Sequence, residues 1–362
     1  MRSGPIVRPR DANKGSVLCP GVIVMKRSAL AFFVFGLVAA NLLSPQSDSQ
    51  NIAGQYLGQQ FPGTTAELFA PGFVSTGLSE TVITFMPDGK ECYWAVLLAG
   101  RMEAILTSKI ENGKWTQPEV ASFSGRYLDG WPAIKPDGKK LFFHSFRPID
   151  GQTDPSPFIN IWFMEREGDS WGRPHPLGPA INGNGHSCNP SIARNGNLYF
   201  SKTFPDGSEK ICCSRFINGK YENLEPLPDN VNIGKVNYHA YISPDESFLI
   251  YPTEATPDRI GGGWNYYVSF RSRDDRWSDL INIGPTVNSG RCSDSASLSA
   301  DGRYFFFLAS TKENRVKSFG RRQTLAELIA REVKSPGPDD PSIYWIETIV
   351  IERLRPPGFR RL

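Results

Sequence analysis

The stretch Ile134-Lys135-Pro136-Asp137-Gly138-Lys139-Lys140-Leu141-Phe142-Phe143 decides the fold. Proline presets the first turn position, aspartate can bond its own backbone, and glycine takes the left-handed conformation that a chain reversal needs. Aromatic and aliphatic residues on either side read as the two strands of a hairpin. The phrase recurs four more times. It appears as Phe85-Met86-Pro87-Asp88-Gly89-Lys90 before Tyr93-Trp94 and as Ile192-Ala193-Arg194-Asn195-Gly196 before Leu198-Tyr199-Phe200. It appears again as Ile242-Ser243-Pro244-Asp245-Glu246 before Phe248-Leu249, and as Leu298-Ser299-Ala300-Asp301-Gly302-Arg303 before Tyr304. The turn Asp or Asn stands at 88, 137, 195, 245 and 301, so the spacings are 49, 58, 50 and 56.

A second turn follows within each unit. Glu111-Asn112-Gly113-Lys114-Trp115 and Ile217-Asn218-Gly219-Lys220-Tyr221 are near copies, and Asn-Gly is a strong hairpin signal. Asp169-Ser170-Trp171 and Asp275-Arg276-Trp277 hold the same place elsewhere. Each unit thus reads as four antiparallel strands, the pattern of a β-propeller blade. Three units close with Leu177-Gly178-Pro179-Ala180-Ile181-Asn182, Leu227-Pro228-Asp229-Asn230-Val231-Asn232 or Ile283-Gly284-Pro285-Thr286-Val287-Asn288. Phe69-Ala70-Pro71-Gly72-Phe73-Val74-Ser75 resembles that phrase but precedes the first unit, whereas the last unit stops at its third strand, Ile343-Tyr344-Trp345. The expectation is an all-β, five-bladed propeller closed by an N-terminal strand, which removes an exposed edge. A sixth blade would need a free stretch of about 45 residues, and none is left.

These repeats resemble the TolB-type, WD-repeat-like β-propellers of bacterial exported proteins. Asn197-Leu198-Tyr199-Phe200-Ser201, Asn265-Tyr266-Tyr267-Val268-Ser269-Phe270 and Ile343-Tyr344-Trp345-Ile346-Glu347 carry the resemblance, which spans roughly residues 64–352. It implies a binding or scaffolding module. The chain departs from the family where relatives have an aspartate before the third strand, since Asn160, Asn265 and Ser342 stand there.

Composition and the N-terminal region bound the function. Forty Lys and Arg face 37 Asp and Glu in 362 residues, too even a balance for a nucleic-acid partner by charge. Met25-Lys26-Arg27 precedes the apolar run Ala29 to Leu43, which is shorter than a membrane span and ends in the small residues of a cleavage site near Ala40. Residues 1–40 are therefore expected to be a leader with its signal peptide from Met25, 1–24 being a gene-model extension. Residues 41–63 follow as linker, 64–352 as propeller and 353–362 as a fraying basic tail. The mature protein is expected in the periplasm or secreted, monomeric, with no membrane span. Within 311–341, Thr324-Leu325-Ala326-Glu327 is a capping box that predicts a helix from Thr324 to Lys334. Outside the leader, Cys92, Cys188, Cys212, Cys213 and Cys292 are odd in number and irregular in spacing, which argues for free thiols over disulfides or zinc.

Chemistry is expected where the first strands of the blades reach the central channel. Counting back eight residues from each turn gives Glu80, Asp129, Ser187, Asn237 and Ser293. The next level is Thr81, Gly130, Cys188, Tyr238 and Asp294, and the third is Val82, Trp131, Asn189, His239 and Ser295. Glu80, Asp129, Trp131, Asn189, Tyr238, His239 and Asp294 are the candidate ligand residues, with Trp131 and Tyr238 as stacking faces and the carboxylates as acceptors. No metal or cofactor is expected, and neither Gly-x-Ser-x-Gly nor a glycine-rich phosphate loop occurs. The expected function is binding of a protein or glycan partner without a catalytic centre. The alternative is a propeller-type carbohydrate-active enzyme, hydrolase or lyase, using Glu80, Asp129 and Asp294.

Overall fold

Each repeated phrase closes a hairpin at the inner edge of a blade. The computed structural model describes residues 52–98, 102–149, 151–261, 263–288, 294–310, 324 and 341–359. The first blade pairs Glu80–Phe85, Glu91–Leu98, Met102–Glu111 and Glu119–Val120, antiparallel throughout. The second pairs Asp129–Ile134, Lys140–Ser145, Asn160–Glu167 and His175–Pro176. The third pairs Ser187–Ile192, Leu198–Thr203, Glu209–Ser214 and Glu225–Pro226. The fourth pairs Tyr241–Ile242, Phe248–Thr253, Asn265–Phe270 and Ile281–Asn282. In the fifth, Ala296–Leu298, Tyr304–Ala309 and Ser342–Glu347 are completed by Glu67–Leu68 from the other end of the propeller. The result is the five-bladed propeller that the repeats imply. The leader, Cys292, Ser293 and the helix expected after Thr324 lie outside the described residues.

The turn chemistry holds in all five units. Asp88, Asp137, Asn195, Asp245 and Asp301 each accept a bond from the backbone N–H two residues on, at 3.0–3.1 Å. The closing phrase has an equally local purpose. Asn182 accepts from the N–H of Ile161 at 2.8 Å and donates to its carbonyl at 2.8 Å. Asn232 does the same to Ile211, and Asn288 to Tyr266. These asparagine side chains stand in for a missing ladder partner at the start of the third strand. Serine takes the place in the other two blades: Ser124 accepts from Ile105 N, and Ser75 donates to Ile343 O.

Five hydrophobic clusters hold the ring, each between two neighbouring blades. The one that joins the last blade to the first gathers Tyr56, Phe69, Phe85, Phe306 and Trp345, all buried. Full burial of Phe69 alone is worth about 2–3 kcal/mol. Hydroxyls stitch the inner strands laterally. Thr84 accepts from Ile134 N, Ser191 from Ile242 N, and Ser297 donates to Ile83 O. After the last strand, a short helical turn Ile349–Glu352 buries Ile351. The basic segment beyond it is docked at least to residue 359. Arg355 pairs with Glu352, bonds Ser247 O and lies over the Phe270 ring at 4.5 Å. Among the described residues, Cys92, Cys212 and Cys213 are free thiols.

Candidate functional site at the channel mouth

The five inner strands run in one direction, so the Asx turns gather at one end of the channel and the strand starts at the other. At the strand starts, Glu80, Asp129, Ser187 and Asn237 are wholly buried. Their side chains belong to separate local networks. Glu80 Oε1 accepts from the N–H of Thr76 and Leu78 and the Thr76 hydroxyl at 2.6–3.1 Å, and Oε2 faces Gly77 N. Burial raises its pKa even so. Asp129 accepts from the Ser145 hydroxyl at 2.7 Å and is clasped by Arg147 at 3.0 and 3.2 Å. Ser187 accepts from Lys202 Nζ at 2.9 Å, and burial lowers that lysine's pKa. The Asn237 side chain has no protein partner for either Oδ1 or Nδ2 among the described residues.

The third level differs. Val82, Trp131, Asn189, His239 and Ser295 are all under 7% exposed, so side chains close the channel here. In three blades the backbone is in the left-handed region at this level, at φ 54° for Trp131, 53° for Asn189 and 60° for His239. Register shifts of the bulge type surround Trp131 and Asn189. A bulge re-aims a side chain at the cost of ladder bonds. Non-glycine residues held at positive φ cost about 1–3 kcal/mol each.

An unbroken run of rings crosses the mouth. Trp264 meets Tyr238 at 5.0 Å between centroids, Tyr238 meets His239 at 4.1 Å, His239 meets Trp131 at 4.2 Å, and Trp131 lies over His144 at 6.1 Å. A carboxylate stands at each histidine. Asp294 pairs with His239 Nδ1 through its side chain and, at 3.1 Å, its carbonyl. Glu103 Oε2 lies 3.0 Å from His144 Nε2. The Asn189 N–H donates to His144 Nδ1 at 3.4 Å, which leaves the ring proton on Nε2, directed at Glu103. His239 Nδ1 faces two Asp294 oxygens, both acceptors, so a ring proton sits on Nδ1, directed at Asp294. Tyr266 fixes the fifth strand start: its hydroxyl accepts from Asp294 N and donates to Ser295 O at 2.7 Å.

Five of the seven residues expected from sequence therefore meet: Trp131, Asn189, Tyr238, His239 and Asp294. Glu80 and Asp129 serve other partners. Sequence reasoning missed Glu103, His144 and Trp264. One signal for Glu103 was present, because Gly130 leaves an inner strand without a side chain, and a Cβ there would overlap the Glu103 carboxylate. Among the described residues no group of three His, Cys, Asp or Glu side chains is placed to hold a metal. Beneath Trp131 the channel opens into a cavity toward the turn end, lined by Thr84, Ala133, Ser191, Tyr241 and Ser297. Trp131 separates it from the mouth.

No protein-family profile and no curated protein matches the chain. Solved structures similar to it include TolB from Acinetobacter baumannii, at 18% identity and TM-score 0.42, covering 65% of this chain and 49% of that one. This chain spans about half the length of that protein. A putative TolB from Agrobacterium tumefaciens matches at 15% identity and TM-score 0.42, covering 65% and 72%. An α-L-arabinofuranosidase from Lactobacillus brevis matches at 10% identity and TM-score 0.45, covering 80% and 93%. These likenesses are of fold. No helix among the described residues is long and apolar enough to cross a membrane.

Proposed function

We propose that this protein is an exported binding module whose protein or glycan partner seats at the channel mouth, on Trp131, Tyr238 and Trp264 beside Asp294 and His239. One observation carries the reading. Trp131, Asn189 and His239 are held at positive φ, while Val82 and Ser295 fill the same level without it. The ring closes without that strain, so the strain serves the side chains. Strained residues gather at ligand sites, where the surrounding structure over-determines them. The buried Asn189 Oδ1, which has no protein partner among the described residues, supports the same reading. Export rests on the leader sequence from Met25.

Calorimetric titration of the full chain with cell-wall oligosaccharides and with peptides tests this, with tryptophan fluorescence as second readout. Saturable binding that Trp131→Ala removes, with the circular dichroism spectrum kept, supports it. Turnover of a substrate sinks the non-catalytic part. A second reading, a glycoside hydrolase or lyase, is favoured by Asp294 and Glu103 standing at the two histidines that flank Trp131. Glycoside hydrolysis uses two carboxyl groups about the scissile bond. Oligosaccharide cleavage lost in both Asp294→Asn and Glu103→Gln would establish it.

A further inference from the structure

The side chains that stitch the inner strands fall at one position of the repeat, four residues before the turn Asp or Asn: Thr84, Ala133, Ser191, Tyr241 and Ser297. Four of the five carry a hydroxyl, and each hydroxyl engages the inner strand of the next blade. Thr84 accepts from Ile134 N at 3.2 Å, and Ser191 accepts from Ile242 N at 3.0 Å. Tyr241 bonds the Leu298 backbone, and Ser297 donates to Ile83 O at 2.6 Å. The groups served are the N–H three residues before the turn and the C=O five residues before it. On an antiparallel edge strand these alternate groups point away from the ladder. Ala133 is the exception. The groups that correspond to it in the third blade are the Ile192 N–H and the Pro190 C=O, and the bond from Ala193 N to Asn197 O at 3.0 Å sets the register that turns both toward the channel. Among the described residues neither has a hydroxyl partner.

We infer that a water molecule is bound between the second and third blades, where a serine hydroxyl at position 133 would lie, accepting from the Ile192 N–H and donating to the Pro190 C=O. Three observations meet there. Ile192 is 5% exposed, and a buried N–H left without a partner is costly. Ala133, Pro190 and Ile192 line one cavity of about 50 Å³. A water takes roughly 10–15 Å³ of such space and needs at least two polar partners, which the amide and the carbonyl supply. The other four junctions show the geometry directly, since a single oxygen at this position reaches the neighbouring strand in each. Solvent thus completes a belt that side chains make elsewhere, and the water site is independent of what seats at the mouth.

The test combines high-resolution crystal structures with thermal unfolding midpoints of the full chain, for wild type, Ala133→Ser and Thr84→Ala. The wild-type crystal should hold an ordered water at about 2.7–3.2 Å from both Ile192 N and Pro190 O. Ala133→Ser should expel that water, put its own oxygen in the same place and raise the midpoint by about 2 °C, because a hydroxyl that repeats the bonds releases the immobilised water. Thr84→Ala removes a hydroxyl from the junction before it. It should melt lower than wild type and gain a water on Ile134 N, a second copy of the arrangement at Ile192. A wild-type crystal with no water on Ile192 N overturns the inference. An Ala133→Ser protein that keeps the water and melts lower overturns its placement at the serine position. A Thr84→Ala protein as stable as wild type, with Ile134 N left unbonded, overturns the premise that these groups require a partner.

Discussion

The same inner strands enter the left-handed region of backbone space at both of their ends, and the residues placed there differ. At the turn end, Gly89, Gly138, Gly196 and Gly302 take φ of 67–97° without steric cost. At the mouth, Trp131, Asn189 and His239 take 53–60° and pay for it in strain. The fourth blade shows what a side chain at such a position is for. Glu246 replaces the turn glycine at φ 57° and binds Asn195 and Asn197 at 2.8 and 2.9 Å, the Tyr199 hydroxyl at 2.8 Å and Arg271 at 3.2 Å. Its carboxylate joins the third blade to the fourth. At Glu246 the strained residue's side chain is used internally, whereas at the mouth the function proposed above leaves it to a ligand.

Three substitutions press on this comparison. Glu246→Ala should cost the most, about 3 kcal/mol, because Arg271 is half-stripped of its partners and the seam between blades loses its acceptor. Urea unfolding measures it, and a loss under about 1 kcal/mol would mean that the strained turn is merely tolerated. Gly130→Ala should follow at about 2 kcal/mol, since the new methyl expels Glu103 from His144; a crystal structure with the Glu103–His144 bond intact would contradict it. Asn189→Gly should go the other way. Relief of the left-handed strain and of an unpartnered oxygen should raise stability by about 1 kcal/mol and abolish ligand binding. A destabilised Asn189→Gly would break the comparison outright.

The smallest effect is a pH dependence. His186 Nδ1 accepts from Ile159 N at 3.0 Å, and burial, then the Lys202 charge, pull its pKa below the usual 6.5. From about 6.5 down to that lower value the unfolded chain takes up the proton first. Stability therefore declines as pH falls through this window and is unaffected above it. Denaturation midpoints of wild type and His186→Gln from pH 8 to 5 should diverge only in the acid part of the range, with the flatter curve for the variant.

The fold was legible because its determinants are local. An Asx turn, an Asn-Gly hairpin and a closing asparagine each act within a few residues, so repetition exposes them. A constant offset from the turn also brought Trp131, Asn189 and His239 to one level. What the offset could not give is the direction of a side chain. It put Glu80 and Asp129 at the strand starts correctly, but the loop amides around Thr76 and the guanidinium of Arg147 claim their oxygens. Glu103 and His144 were beyond reach for a different reason. They begin a third strand and end a second strand in neighbouring blades, and only closure of the ring brings them together.

The shared fifth blade has a consequence in time. Ser75 and Ile343, which bond across it, are 268 positions apart. At a synthesis rate of roughly 10 residues per second the N-terminal strand waits about half a minute for its partner. During that interval the growing arc presents two unpaired strand edges and the uncovered aromatics of Tyr56, Phe69 and Phe85. The nascent chain is thus most prone to aggregate just before it is complete, and a holdase that masks those edges late in synthesis should raise its yield more than one that acts early.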